Sequence, residues 1–399
     1  MGIIVQKFGG TSLATPESRL KALAKIIDAK ENGDTVVVVV SAMGRLGSPY
    51  ATDTLLSLVG YKEAKVCNQE LDLLISTGEV IASVIMSNLL NSHGLDAKAL
   101  TGGGAGVITD DNHLAAEVLH IDTNHIRNLL ETGIIPVIAG FQGRGPHNEV
   151  TTIGRGGSDT TAALFGEALK AERVEIYTDV DGIMTADPKV CISAKIIDEV
   201  SYTEVFQMAD SGAKVIHPRA VEIAMRSGIK MLIKNTFNDH VGTRISHYNH
   251  IDKKYHIEEK LITSIAHRTN RVQVHVEGAM DDEVFFAKLA QEEVSIDIIN
   301  IFPNRRVFTI DADKKEKALE VIKEHAVSHY FIDNCCKVTV IGERMTGVPG
   351  VMAKIIKSLA SENIEILQTA DSLSTIACLI RQQDLKKSIA ALHQAFDLN

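Results

Sequence analysis

A cationic surplus is missing from this chain: 41 lysines and arginines stand against 51 aspartates and glutamates, giving a net charge of −10 over 399 residues. Nucleic-acid binding needs a basic footprint, so no nucleic-acid partner is expected. Cysteine is also scarce. Cys67, Cys191, Cys335, Cys336 and Cys378 are odd in number and spaced for neither a zinc ribbon nor a disulfide framework, so reduced thiols are expected. No run approaches 18 continuous apolar residues, and no cationic N-terminal segment leads into a long apolar one. A soluble, cytoplasmic protein without a membrane partner is the expectation. The Gly-x-x-x-x-Gly-Lys-Ser/Thr signature of an ordinary P-loop is absent, as is the His-Arg-Asp signature of protein kinases.

What is present is an ordinary globular composition, 45% apolar with 29 glycines. At ~100–200 residues per domain, the length implies two or three domains. The most informative segment runs from Thr152 to Ala163 and includes Gly154-Arg155-Gly156-Gly157-Ser158-Asp159. Glycines let backbone N–H groups approach a ligand, and the N-terminus of the helix that follows favours anions. Read alone, it is a glycine-rich turn with Ser158 or Asp159 as an N-cap. A second turn, Lys7-Phe8-Gly9-Gly10-Thr11-Ser12, follows the apolar run Ile3-Ile4-Val5. Two glycine-plus-cation turns, each between a strand and a helix, look like a site for a polyanionic substrate.

Up to about residue 245, short apolar runs alternate with helical patterns. Strands are expected at 3–5, 36–40, 97–100, 134–139, 174–178 and 229–234, and helices at about 16–31, 69–92, 112–132, 159–170, 202–210 and 218–227. Continuous Val/Ile runs without alternation indicate strands buried on both faces, hence a mainly parallel sheet between helical layers: a three-layer αβα sandwich. Asn238 to Lys260 is polar and holds His240, His247, His250 and His256; without paired metal-ligand spacing it reads as a linker. Beyond residue 261 the pattern is strand 272–276, helix 281–292, strands 294–302 and 306–310, helix 314–325. It then repeats as 337–341, 350–362, 364–370 with 374–380, and 383–395. Two βαββα units in tandem suit two small α+β domains. Ile262–Ala266 stands ready to pair with the second unit's sheet.

Lys7-Phe8-Gly9-Gly10-Thr11-Ser12, Ser41-Ala42-Met43, Thr77-Gly78-Glu79, Gly140-Phe141-Gln142-Gly143, Thr152 to Asp159, Tyr177 to Gly182, Thr185 to Pro188 and Gly212 to Pro218 together resemble the aspartate kinases, in that family's order. The tandem units resemble the two ACT domains (βαββαβ, ferredoxin-like) that follow the amino acid kinase fold there. The stretches Ser41–Asp53, Gly347–Val351 and Leu367–Ser372 look most like the short monofunctional branch inhibited by diaminopimelate.

The resemblance implies phosphorylation of the β-carboxylate of L-aspartate by ATP, with Mg2+ accompanying the nucleotide. Bringing two anions together requires charge neutralisation and in-line positioning. Lys7 is placed to reach phosphate oxygens, with Gly9 and Gly10 as backbone donors. Arg155 offers a planar fork for the α-carboxylate, and Asp159 a partner for the α-ammonium. The family pattern adds Ser158, Glu79, Ser41 and Thr52 to the aspartate pocket, and Thr178, Asp179, Met184, Lys189 and Lys214 to the nucleotide site. Met184 replaces a frequent aromatic residue, and Lys189 a frequent arginine. No dedicated metal site is expected. Related ACT pairs imply an amino-acid effector, diaminopimelate or else lysine or threonine, near Asp297, Asn300, Asn363 and Ile364, and a homodimer or dimer of dimers through these domains.

The expected boundaries are 1–245 for the catalytic domain, 246–261 for the linker, 262–333 for the first ACT domain and 334–399 for the second, with interleaving possible. A glutamate kinase and a non-catalytic amino-acid sensor are the rival readings.

Overall fold

A computed structural model describes residues 2–60, 65–213, 215–247, 261–325, 327–345 and 347–398. Lys214, His250 and His256 therefore lie outside the described residues. By contacts the chain forms two units. Residues 1–183, 196–206 and 214–252 make the first, and 184–195, 207–213 and 253–399 the second.

The first unit is built on an eight-stranded sheet. Its spatial order is Glu199–Ser201, Thr243–Ser246, Lys230–Asn235, Arg173–Thr178, Ile3–Phe8, Thr35–Val40, Ile135–Ala139, Ala97–Leu100. All pairings are parallel except that between Lys230–Asn235 and Thr243–Ser246. Val36 to Val40 are all at most 1% exposed, as a central strand covered on both faces demands. At about 1.5–3 kcal/mol per buried side chain, those valines alone anchor the strand. Helix Pro16–Glu31 starts as its sequence announces: Thr15 accepts from the Ser18 N–H, and Pro16 stands in the first turn. Helix Asn68–Ser92 is long and apolar enough to cross a membrane. It is a core helix, burying Leu71, Ile75, Ala82, Met86 and Leu90.

A second sheet of four short strands, Val118–Ile121, Val107–Thr109, Gln142–Arg144 and Val150–Thr152, belongs to the same unit. Here the expected helix at 112–132 is corrected. Only Asn124–Glu131 is helical, and Val118–Ile121 is a strand. Asp110 accepts the N–H groups of Asn112 and Glu117, closing a loop where a helix would have run.

The second unit is one antiparallel sheet of six strands, ordered Ile299–Phe302, Arg305–Asp311, Ser264–Glu277, Ser328–Ile341, Thr375–Arg381, Gln368–Asp371. Its two central strands have 14 residues each. Ser264–Arg268 pairs with Lys337–Ile341, as the run at 262–266 suggested, while Arg271–Glu277 pairs with 328–335 and, on its other side, with 305–311. The two βαββα repeats thus share strands across a bulge. The expected strand 294–302 shortens to Ile299–Phe302, and 364–370 to Gln368–Asp371. The sheet curls until its ends meet: Gln368 donates to Asn300 Oδ1 at 2.7 Å and to the Val307 carbonyl at 3.1 Å.

Candidate active site

Lys7, the penultimate residue of the strand Ile3–Phe8, is 9% exposed, and its Nζ lies 2.7 Å from Asp159 Oδ1. The chain then turns through Gly9 and Gly10. A Cβ on Gly10 would come within 2.6 Å of the Gly44 carbonyl and 2.7 Å of the Ala42 carbonyl, so only glycine lets the loop after Thr35–Val40 close over this turn. The Gly44 N–H seals it on the Gly10 carbonyl at 2.9 Å. One expectation is corrected here. The Gly9 N–H is committed to the Tyr177 carbonyl at 3.1 Å, leaving Gly10 as the backbone donor of the pair.

Asp159 comes from the other glycine turn. Gly154 and Gly156 have φ of 77° and 70°, a left-handed backbone that suits glycine. Gly156, not Ser158 or Asp159, is the N-cap of helix Gly157–Leu169. Ser158 and Asp159 therefore stand in its first turn, where a negative charge is favoured. Ser158 is buried against Gly140, whose Cβ would meet the Ser158 hydroxyl at 2.9 Å. Arg155, between the two left-handed glycines, is exposed.

Glu79 is 3% exposed on helix Asn68–Ser92. Its Oε1 accepts the Ala42 N–H at 3.1 Å, and its Oε2 has no partner. Burial pushes its carboxyl up to about 8, only partly offset by the Ala42 bond and the Lys7 charge. Gly78 makes this approach possible, since a Cβ there would lie 2.6 Å from the Tyr50 carbonyl. Ser41 donates its N–H to the Phe8 carbonyl, and Thr52 opens the short helix Thr52–Ser57. A buried ammonium, the Asp159 carboxylate and the half-satisfied carboxyl of Glu79 thus gather where two glycine turns meet. Opposite charges this close, at a helix N-terminus and a glycine turn, have the chemistry to pair with a ligand that carries both signs.

The model of the amino acid kinase family matches residues 2–235, and an ACT domain model matches 330–394. Aspartokinase 1 of Bacillus subtilis (strain 168) is 42% identical over 404 residues, covering 100% of both chains. The chain belongs to the aspartokinases. The crystal structure of E. coli aspartokinase III with aspartate and ADP (R-state) matches at a TM-score of 0.77 and 25% identity, over 98% of this chain and 99% of that one. The same enzyme with lysine and aspartate (T-state) matches at 0.75 and 25%, over 99% of each.

Of the nucleotide residues that aspartokinase motifs nominate, Thr178 and Asp179 close the strand Arg173–Thr178, and the Asp179 carboxylate accepts from Arg45 Nη2 at 2.7 Å. Met184 and Lys189 lie in the segment that clusters with the second unit, where Met184 is half-buried and Lys189 exposed. Two residues near the site had no role in the sequence reading. His217 caps helix Pro218–Ser227, and its ring fills the space where a Gly156 Cβ would sit, 2.1 Å from Cγ. Burial pulls its pKa down, against the raising effect of Asp159. Asp181, in the Asp-Gly turn, accepts from Asn235 and Asn238 at 2.6 Å each, and these bonds hold its carboxyl below the usual range. His217 was legible only as the residue before a helix-starting proline.

In the second unit, Asp297 lies 2.6 Å from Lys337 Nζ and 3.2 Å from Arg271 Nη2, an internal cation pair that sequence spacing did not reveal. Asn300 is exposed on the edge strand. Asn363, with φ 56°, reverses the chain after helix Val351–Ser361. Ile364 is a core residue, packed with Ile355 and Leu359, and its N–H is bonded to the Leu359 carbonyl. Its side chain is committed to that core.

Proposed function

We propose that Lys7, Arg155, Asp159 and Glu79 divide between them the work of ATP + L-aspartate → ADP + 4-phospho-L-aspartate. The attacking β-carboxylate is ionised at neutral pH, so no general base is required. Lys7 neutralises charge that develops on the transferring phosphoryl group, while Gly10 donates to a phosphate oxygen. Arg155 takes the α-carboxylate in a fork, and Asp159 and Glu79 take the α-ammonium. The observation that carries this reading is the meeting of Lys7, Asp159 and the half-satisfied carboxyl of Glu79. In the free enzyme Lys7 and Asp159 neutralise each other; with both substrates bound, each turns to its own ligand. The aspartokinase motifs assign Ser41, Thr52 and Ser158 to aspartate, and Thr178, Asp179, Met184, Lys189 and Lys214 to the nucleotide.

Bound together with ATP, Mg2+ would supply charge neutralisation on the phosphate oxygens. Among the described residues no group of three or more His, Cys, Asp or Glu forms a metal cage. Phosphates and water suit this small, hard cation as ligands.

The product opens the biosynthesis of lysine by way of diaminopimelate, and of threonine and methionine, in the cytoplasm. An end product, diaminopimelate first and lysine or threonine next, regulates the enzyme at the ACT domains. Support comes from the E. coli enzyme, crystallised with lysine in a T-state. A homodimer or dimer of dimers forms through the edge strand Ile299–Phe302, whose Ile299, Ile301 and Phe302 are exposed. The working division is 1–245 for catalysis, less the segments 184–195 and 207–213 that belong to the second unit, and 262–333 and 334–399 as ACT domains that share the strand Ser264–Glu277; most of the linker expected at 246–261 lies outside the described residues.

A coupled ADP-release assay with and without L-aspartate tests the reaction, with glutamate in parallel. Arg155→Lys keeps the charge but loses the fork, so the aspartate KM should rise steeply with ATP affinity little changed. Collapse of ATP binding with normal aspartate saturation would reverse the two pockets.

A further inference from the structure

Helix Asn68–Ser92 carries a second acid that the chemistry above leaves unused. Asp72 is 0% exposed and lies seven residues before Glu79, two turns away on the same helical stripe. A buried carboxylate persists only when its oxygens are satisfied. Here the donors are His113 Nδ1 at 2.7 Å, the Leu114 N–H at 3.1 Å and the Thr152 hydroxyl. They come from two separate places in the chain, and both lead to the turn that carries Arg155.

Thr152 ends the strand Val150–Thr152, three residues before Arg155. Leu114 holds a left-handed φ of 67°, costly for a leucine, and its N–H is fixed on Asp72. The Leu114 carbonyl abuts Gly154, 3.4 Å from where a Cβ would stand, and the Ala116 N–H donates to the Thr152 carbonyl at 2.9 Å. One carboxylate thus grips the root of the Arg155 turn and the loop on which that turn leans. The His217 ring, against Gly156, closes the opposite side.

We infer that Asp72, with His113 and Thr152, is a positioning device for Arg155, which it holds at the aspartate site without touching substrate. The inference rests on the assignment of Arg155 to the α-carboxylate. Its consequence is selective: loosening the grip spoils aspartate recognition and spares the Lys7 turn, which belongs to another strand. A buried acid with a merely structural role would lower stability without separating the two substrates.

The test uses the full-length enzyme in the ADP-release assay, with thermal denaturation alongside. Thr152→Val deletes the hydroxyl at constant shape and should raise the aspartate KM about tenfold, the low end for loss of one hydrogen bond to a charged group, with the ATP KM staying within about twofold. Thr152→Ser restores the donor and should return the aspartate KM to wild type. Asp72→Asn should match or exceed Thr152→Val; if it does not fold, the Val and Ser pair decides. Wild-type aspartate KM in Thr152→Val, equal rises in both KM values, or a serine variant no better than valine would overturn the inference. Arg155→Lys separates the two readings. If that variant saturates normally with aspartate, the assignment of Arg155 falls and the inference with it. If its aspartate KM rises while Thr152→Val is normal, the assignment stands and the positioning device falls.

Discussion

Replacing Glu79 with glutamine removes the most perturbed carboxyl of the site while keeping its shape. The free enzyme holds the Glu79 proton up to about 8, against an ordinary 4.5, because the group is buried with Oε2 unpartnered. At about 1.4 kcal/mol per pH unit this corresponds to roughly 5 kcal/mol of preference for the neutral form. The unfolded chain ionises the group near 4.5, so its contribution to stability is full below that pH. It is lost as pH rises and exhausted once pH passes about 8. Glutamine has no such slope, so the thermal stability of Glu79→Gln relative to wild type should improve from pH 5 to pH 9. Catalysis should move the other way. Wild-type kcat/KM for aspartate should climb through about pH 8, as Glu79 ionises to meet the α-ammonium. The variant should lack that limb and lose roughly 10–100-fold at its plateau, the worth of one charge-assisted hydrogen bond. A wild-type profile flat from pH 6 to 9, or the same limb in the variant, would refute the reasoning.

Lys7→Ala should reduce kcat by about 100-fold or more with a smaller change in aspartate KM, measured at saturating ATP, since Lys7 serves charge that develops during transfer. Gly10→Ala should cost about 1–3 kcal/mol or displace the loop after Val40, because the new methyl meets two carbonyl oxygens under 3 Å away; urea unfolding reads this directly. Asp297→Ala deprives the buried Lys337 of its carboxylate and leaves Arg271 with Asp311 alone, and should destabilise the second unit by about 1–3 kcal/mol, so weakened inhibition in that variant must be judged beside its melting temperature. Ile301→Lys places a charge on the exposed edge strand and should shift the proposed dimer towards monomer in analytical ultracentrifugation, with the strand itself still paired to Arg305–Asp311.

The parallel sheet was legible because buried central strands are written as unbroken apolar runs, and Val36–Val40 needs no distant partner to be recognised. The meeting of Lys7 with Asp159 was legible because two glycine turns, each beside charge and each between a strand and a helix, point to one place. What stayed hidden depends on partners far along the chain. The Gly9 N–H is taken by a carbonyl from Tyr177, and Asp72 meets a hydroxyl 80 residues later. Residues 112–121 carry enough apolar positions to suggest a helix, but Asp110 captures the backbone first. Ser328–Asp333 looked like no strand because Tyr330 and Phe331 acquire their faces only through pairing with Val274 and His275.

The segment Met184–Lys195 has a consequence for how such an enzyme can be divided. Ala186 and Cys191 are buried among Val338, Ile355 and Leu359, Thr185 Oγ1 is 2.8 Å from His393 Nε2, and the Ile265 N–H donates to the Thr185 carbonyl. Residues from the middle of the kinase sequence therefore complete the hydrophobic interior of the regulatory half. A gene cut near codon 247 would yield neither half intact: one fragment would expose Ala186 and Cys191, the other would lack the residues that fill its core. Domain exchange between aspartokinases must carry 184–195 and the C-terminal half together, and sequence drift in either constrains the other.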